Sequence, residues 1–100
     1  MVYTYNMSPL VKNHRKRILE LAHKRGVGNV RVFGSFARGE ETSQSDLDLL
    51  VRMEDGKDLL DLIAFLQEVR DLLGRDVDVI DERGLRPYVR DIVLTETVPL

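Results

Sequence analysis

One hundred residues, 43% of them hydrophobic, can build a single core and read as one domain over residues 1–100. Acidic and basic residues, 17 against 15, are interspersed at a net charge of -2, which excludes a global field for DNA, RNA or an anionic membrane. With no cysteine, disulfides, thiolate metal sites and cysteine nucleophiles are excluded; with no apolar run near the roughly 20 residues of a membrane span, a soluble cytoplasmic protein is expected.

Residues 1–7 read as a flexible lead-in. Ser8-Pro9 is a helix start, a capping hydroxyl followed by a residue whose missing N–H does no harm in the first turn. A first helix is expected to about Arg25, with Leu10, Val11, His14, Ile18, Leu21 and Ala22 at helical spacing and Gly26 as its stop. The basic cluster at His14 to Arg17 reads as a solvated helix face. His14 and His23 read as a half-buried and a surface histidine, since no spaced carboxylate accompanies them as a ligand partner.

A first strand is expected over Asn29 to Phe33, with Val30 and Val32 on its packed face. The chain breaks at Gly34-Ser35, where glycine permits a sharp turn and leaves the main chain open to a ligand. Phe36-Ala37-Arg38 can form a short helical turn whose free N–H groups, with the Ser35 hydroxyl, suit an anion. The segment is neither a Walker A loop nor a Rossmann fingerprint. After a polar loop, a second strand is expected over Asp46 to Arg52.

A second helix spans about Asp58 to Leu73. Its stripe of Leu59, Leu62, Ile63, Leu66, Val69 and Leu73, broadened by Leu60, Phe65 and Leu72, reads as core, not as a partner groove. A third strand covers Asp76 to Ile80. A last helix is expected near Pro87 to Leu94, burying Leu85, Val89, Ile92 and Val93, and the tail after it is too short to assign.

Alternation along strands gives these elements a common logic. If Leu47, Leu49, Val51, Val77 and Val79 pack under helices, then Asp46, Asp48 and Asp78 share the opposite, open face of one sheet. The expected fold class is therefore α/β (α+β): a small mixed sheet with helices on one face and an acidic site on the other. Unpaired carboxylates brought together repel, and burying them is costly. A divalent cation resolves this, and Mg2+ takes a few carboxylates while leaving positions for water and substrate phosphates. Two such ions about 4 Å apart can clamp both oxygens of a phosphoryl displacement. Asp46 and Asp48 would bridge the metals, Asp78 would serve the ion near the attacking hydroxyl, Gly34-Ser35 would hold distal phosphates, and Arg38 would clamp one of them.

The order GS, ten residues, D-x-D, a hydrophobic strand and a later aspartate in VDVI resembles the nucleotidyltransferases of the DNA polymerase β type. GSFARGE and SDLDLLV resemble in particular the minimal, MntA-like nucleotidyltransferases often paired with a HEPN-domain ribonuclease toxin. The likeness runs from the first helix to the last. It implies a polymerase β-like nucleotidyltransferase fold, with Gly34 and Ser35 at the phosphate turn, Arg38 at the motif arginine, and Asp46, Asp48 and Asp78 as catalytic metal carboxylates. Asp76 and Asp81 are neighbouring alternatives to Asp78. It further implies ATP as donor, Mg2+ (with Mn2+ as a substitute), and a tyrosine hydroxyl of a cognate HEPN toxin as acceptor, the chain acting as antitoxin in a hetero-oligomer. No membrane and no direct nucleic-acid partner are expected. The competing reading is a binding module that neutralises its partner by occlusion, without chemistry.

Overall fold

The computed structural model describes residues 8–100, so the expected lead-in at residues 1–7 lies outside the described residues. Helix α1, Pro9–Arg25, begins where the Ser8 Oγ accepts the Leu10 N–H at 3.2 Å and ends at Gly26 in the left-handed conformation. Both ends follow from local chemistry: a hydroxyl satisfies one orphan donor, and glycine takes the closing turn without Cβ strain. The basic cluster lies on the exposed side, where Arg15 donates to the Leu100 carbonyl at 3.0 Å. His14 is half-buried with its Nδ1 2.8 Å from the Leu10 carbonyl, and His23 is exposed.

Strand β1, Val27–Phe33, starts two residues earlier than expected. Its pairing with β2, Leu47–Met53, shifts between Gly28 and Arg31, where Asn29 takes φ 49°. An irregularity of this kind masks the period-two pattern that marks a strand. Helix α2, Ser35–Arg38, is a single turn pinned by Phe36 and Ala37, both buried. Helix α3, Leu59–Leu73, opens with a reciprocal cap. The Asp58 side chain accepts from Leu60 and Asp61 at 3.0 and 3.3 Å, and Asp61 accepts the Asp58 N–H at 3.4 Å.

Strand β3, Val77–Asp81, is followed by a 3-10 turn, Glu82–Gly84, then helix α4, Pro87–Leu94, and strand β4, Val98–Pro99. The mixed sheet has the order β3-β2-β1-β4, with β2 and β3 parallel and the other neighbours antiparallel. The two-residue β4, in the unassigned tail, pairs Val98 with Val32, and Leu100 donates to the Val30 carbonyl at 3.0 Å.

The core lies between one sheet face and helices α1 and α3. Val30, Val32, Leu47, Leu49, Val51 and Val77 supply the sheet side, and Ile18, Leu21, Phe65 and Val69 the helical side. Burying each such side chain contributes about 1.5–3 kcal/mol. Arg25 and Lys24 bind the two oxygens of Glu68 at 2.9 and 3.2 Å, tying α1 to α3 at the rim.

Two expected faces are corrected. In α3, Leu59 and Leu60 are 67% and 73% exposed and Ile63 is also exposed, because the amphipathic period runs through a first turn that no other element among the described residues covers. In α4 no residue is fully buried and Ile92 is 60% exposed, leaving Val89 and Val93 half-buried. The reason is topological. The chain must pass from β3 at one edge to β4 at the other, and none of α4's side chains joins the α1–α3 core. Leu50, fully buried outside that core, lies on the opposite side of the β2 alternation from Leu49. No helix among the described residues is long and apolar enough to cross a membrane.

Candidate active site

Parallel pairing of β2 with β3 places Asp48 directly beside Asp78, as Leu47 lies beside Val77 and Leu49 beside Val79. Leu47 and Leu49 are wholly buried in the core, so alternation turns Asp48 and Asp78 together onto the opposite face. Phe33 is the β1 neighbour of Asp48 in the same row. Asp46 sits one residue before β2, exposed at the lip of the row.

The two alternative carboxylates are placed otherwise. Asp76 pairs with Arg70 at 3.2 Å, whereas Asp81 lies beside Val51, on the other side of the alternation, and pairs with Arg83 at 2.9 Å. Among the described residues, Asp46, Asp48 and Asp78 have no salt bridge. The electrostatic consequence falls on Asp48, the most enclosed of them. Partial burial pushes its carboxyl above the ordinary range, and the charges of Asp78 and Asp46 push it further.

The Gly34-Ser35 turn closes on this carboxylate. Gly34 has φ 73° and ψ -152°, a conformation open in practice only to glycine, and a Cβ there would stand 2.6 Å from Asp48 Oδ2. Glycine thus serves both demands at once, the turn and the close approach. Its carbonyl accepts the Ala37 N–H at 3.1 Å, and Gly39 and Glu40 close the turn onto the Ser35 carbonyl. Arg38 projects from the last position of α2 and donates through Nε to Glu40 at 2.8 Å, both side chains more than half exposed. A pair so exposed is screened by solvent and contributes little, leaving Arg38 available to another anion.

A polar cleft of about 440 Å³ opens beside Asp46, between the loop at Ser43 to Ser45 and the corner at Gly74 to Asp76. Arg75 carries no signal in the sequence beyond being a cation at the mouth of a strand, yet it bridges that cleft to the loop. Among the described residues no three His, Cys, Asp or Glu side chains gather tightly enough to cage a metal by themselves. The expected convergence of three carboxylates is therefore a looser arrangement, Asp48 and Asp78 side by side with Asp46 at the lip. That donor set fits Mg2+, which commonly takes one or two carboxylates and completes its shell with substrate phosphates and water. The mutual repulsion centred on Asp48 is relieved by a cation.

The fold and site define a nucleotidyltransferase: residues 11–100 match the nucleotidyltransferase domain family, and the chain belongs to it. It is an enzyme of the nucleotidyltransferase type. Within that family it is similar to the protein adenylyltransferase MntA of Thermococcus cleftensis, at 34% identity over 98% of this chain and 96% of that protein. A solved structure described as a minimal nucleotidyltransferase superposes with TM-score 0.84 at 47% identity, covering 90% of this chain and 92% of that one. The fold also matches, with TM-score 0.65 at 22% identity over 88% of this chain and 69% of the other, a chain from a tri-AMPylated Shewanella oneidensis HEPN toxin in complex with MNT antitoxin.

Proposed function

We propose that this chain transfers AMP from ATP, with Mg2+, to a hydroxyl of a partner protein, a tyrosine of a HEPN ribonuclease toxin, and so acts as its antitoxin. The observation that carries the reading is the row Asp48–Asp78 on the exposed sheet face, with Gly34 pressed against Asp48. The adenylyltransferase relative and the AMPylated toxin in the complex support the donor and the class of acceptor.

Asp46, Asp48 and Asp78 would hold Mg2+, which when bound neutralises the triphosphate and lowers the charge developing on the leaving oxygens. The Gly34-Ser35 turn would offer backbone N–H groups of the first helical turn and a hydroxyl to the distal phosphates. Arg38 exchanges Glu40 for phosphate, at the small cost of a surface ion pair. The acceptor oxygen bonds to the α-phosphorus as the bond to the bridging oxygen of pyrophosphate breaks. Pyrophosphate leaves with that electron pair, and Asp78, exposed beside Asp48, is placed to take the hydroxyl proton. The cleft beside Asp46 is open, leaving room for an acceptor presented by a second protein.

Incubating the protein with α-labelled ATP, Mg2+ and a HEPN partner is expected to label the partner, and chelation to stop it. No label from the native pair, or equal label after Asp46→Asn with Asp48→Asn, rejects the reading. Full neutralisation by that double variant would point to occlusion alone. For Arg38→Ala a roughly 10-fold rise in KM for ATP is expected, since a charge-assisted hydrogen bond to phosphate is lost. An unchanged KM removes Arg38 from the phosphate site.

A further inference from the structure

We propose that Arg75 is the positioning residue of the site, holding the loop that carries Asp46 in register with the turn that carries Ser35. This rests on the adenylyl-transfer reading and adds to it a residue outside the motif. Arg75 lies two residues before β3, the strand of Asp78. Its Nη1 donates to the Thr42 carbonyl and to the Ser45 carbonyl, each at 2.9 Å. The second of these belongs to the peptide group that joins Ser45 to Asp46. The guanidinium also stands 5.2 Å from the centre of the Phe36 ring. Phe36 is wholly buried and directly follows Ser35. One side chain therefore touches the approach to β2, the only turn of α2, and through its own backbone the approach to β3.

The loop between Thr42 and Ser45 has internal bonds, but they are local. The Thr42 N–H donates to Ser45 Oγ at 2.8 Å, the Gln44 N–H to Thr42 Oγ1 at 3.2 Å, and the Ser45 N–H to the Thr42 carbonyl at 3.1 Å. They shape the turn without fixing where it sits. Arg75 supplies the side-chain anchor to another strand. A planar cation suits this place: two N–H bonds of one nitrogen reach two carbonyls while the guanidinium carbon stands over an aromatic ring. A lysine keeps the charge and a donor but has no face to stack.

Asp46 is exposed; Leu47 after it is held by burial and by its N–H donating to the Asp76 carbonyl at 3.0 Å, and Arg75 fixes the Ser45 side, the side that faces the turn of Ser35 through Phe36. A displacement of about 1 Å at a reacting centre can cost about 100-fold in rate. Arg75→Met, which keeps the apolar stem, and Arg75→Lys test the proposal. Both are assayed well below their melting temperatures with the HEPN partner, alongside amide hydrogen exchange of the chain with and without Mg2+ and ATP.

For Arg75→Met, kcat is expected to fall about 10- to 100-fold with KM for the protein acceptor unchanged, and the Ser45 amide to lose protection. Arg75→Lys is expected to recover part of both. Wild-type kcat in Arg75→Met, or a loosened loop with kcat unaffected, overturns the proposal. So does a kcat loss that only tracks the unfolded fraction, or that Arg75→Lys does not improve. If the wild type itself transfers no AMP while exchange at Ser45 still rises in Arg75→Met, adenylyl transfer fails and the catalytic purpose of Arg75 with it, leaving a structural tie.

Discussion

Asp48→Asn is expected to reduce AMP transfer by about 1,000-fold or more while raising the melting temperature of the metal-free protein. The first effect follows from removing a charge that a bound cation needs. Loss of several kcal/mol of transition-state stabilisation corresponds to a factor of ten for each 1.36 kcal/mol. The second follows from the crowding of Asp48, whose carboxyl is pushed up by burial and by its neighbours Asp78 and Asp46. A carboxyl whose folded pKa lies above its unfolded value stabilises the fold only while protonated. Its contribution is present below the unfolded pKa and lost as pH rises to the folded one. At neutral pH the ionised side chain is therefore a liability to the apo fold, and the asparagine variant lacks it. Thermal melts at neutral pH are expected to place the variant above the wild type, with the gap closing as pH falls into the carboxylate range. Saturating Mg2+ and ATP are expected to reverse the order, because ligand binding to the folded state raises the wild type alone. A variant that melts lower than the wild type in EDTA at neutral pH contradicts the repulsion, and one that keeps wild-type transfer contradicts the role.

Gly34→Ala is expected to lose both activity and stability. The backbone at φ 73° and ψ -152° costs a non-glycine residue about 1–3 kcal/mol, or roughly 4–8 °C in melting temperature for each kcal/mol in a domain of this size. The added Cβ also meets Asp48 Oδ2 at 2.6 Å, so the carboxylate must swing away or the turn must open. Either movement displaces the proposed phosphate turn from the proposed metal carboxylate, and kcat is expected to fall about 100-fold. The two causes separate in a double-mutant cycle. Removing the carboxylate by Asp48→Ala relieves the clash but not the backbone strain, so Gly34→Ala should cost less stability in that background. Strict additivity would show that the strain acts alone and that the close approach to Asp48 carries no energy.

The legible parts of this chain were those in which one segment contains its own reason. Ser8-Pro9 and Gly26 mark helix ends because capping is settled within a turn. Val30 with Val32, and Leu47 with Leu49 and Val51, mark a buried face because alternation is settled within a strand. The same alternation turned Asp48 and Asp78 away from the core before their strands were known to touch. Where the outcome depended on a distant segment, the residues misled or were silent. Leu59, Leu60 and Ile92 carry a helical period that no neighbour among the described residues completes, and Val98 becomes a strand residue only because β1 offers an open edge. The start of β1 was hidden by the irregularity around Asn29.

The candidate site divides in the same way. Its residue types and their spacing, a glycine turn, two aspartates one residue apart and a later aspartate between valines, were set by sequence, because each acts through its own local backbone. Three things belong to tertiary structure: that β3 lies parallel beside β2 and so brings Asp78 level with Asp48, that Gly34 abuts that carboxylate, and that Arg75 grips the loop before Asp46. Strand order and loop anchoring are decided by burial and hydrogen bonding between segments some 30 residues apart, and no period within a single segment encodes its neighbour.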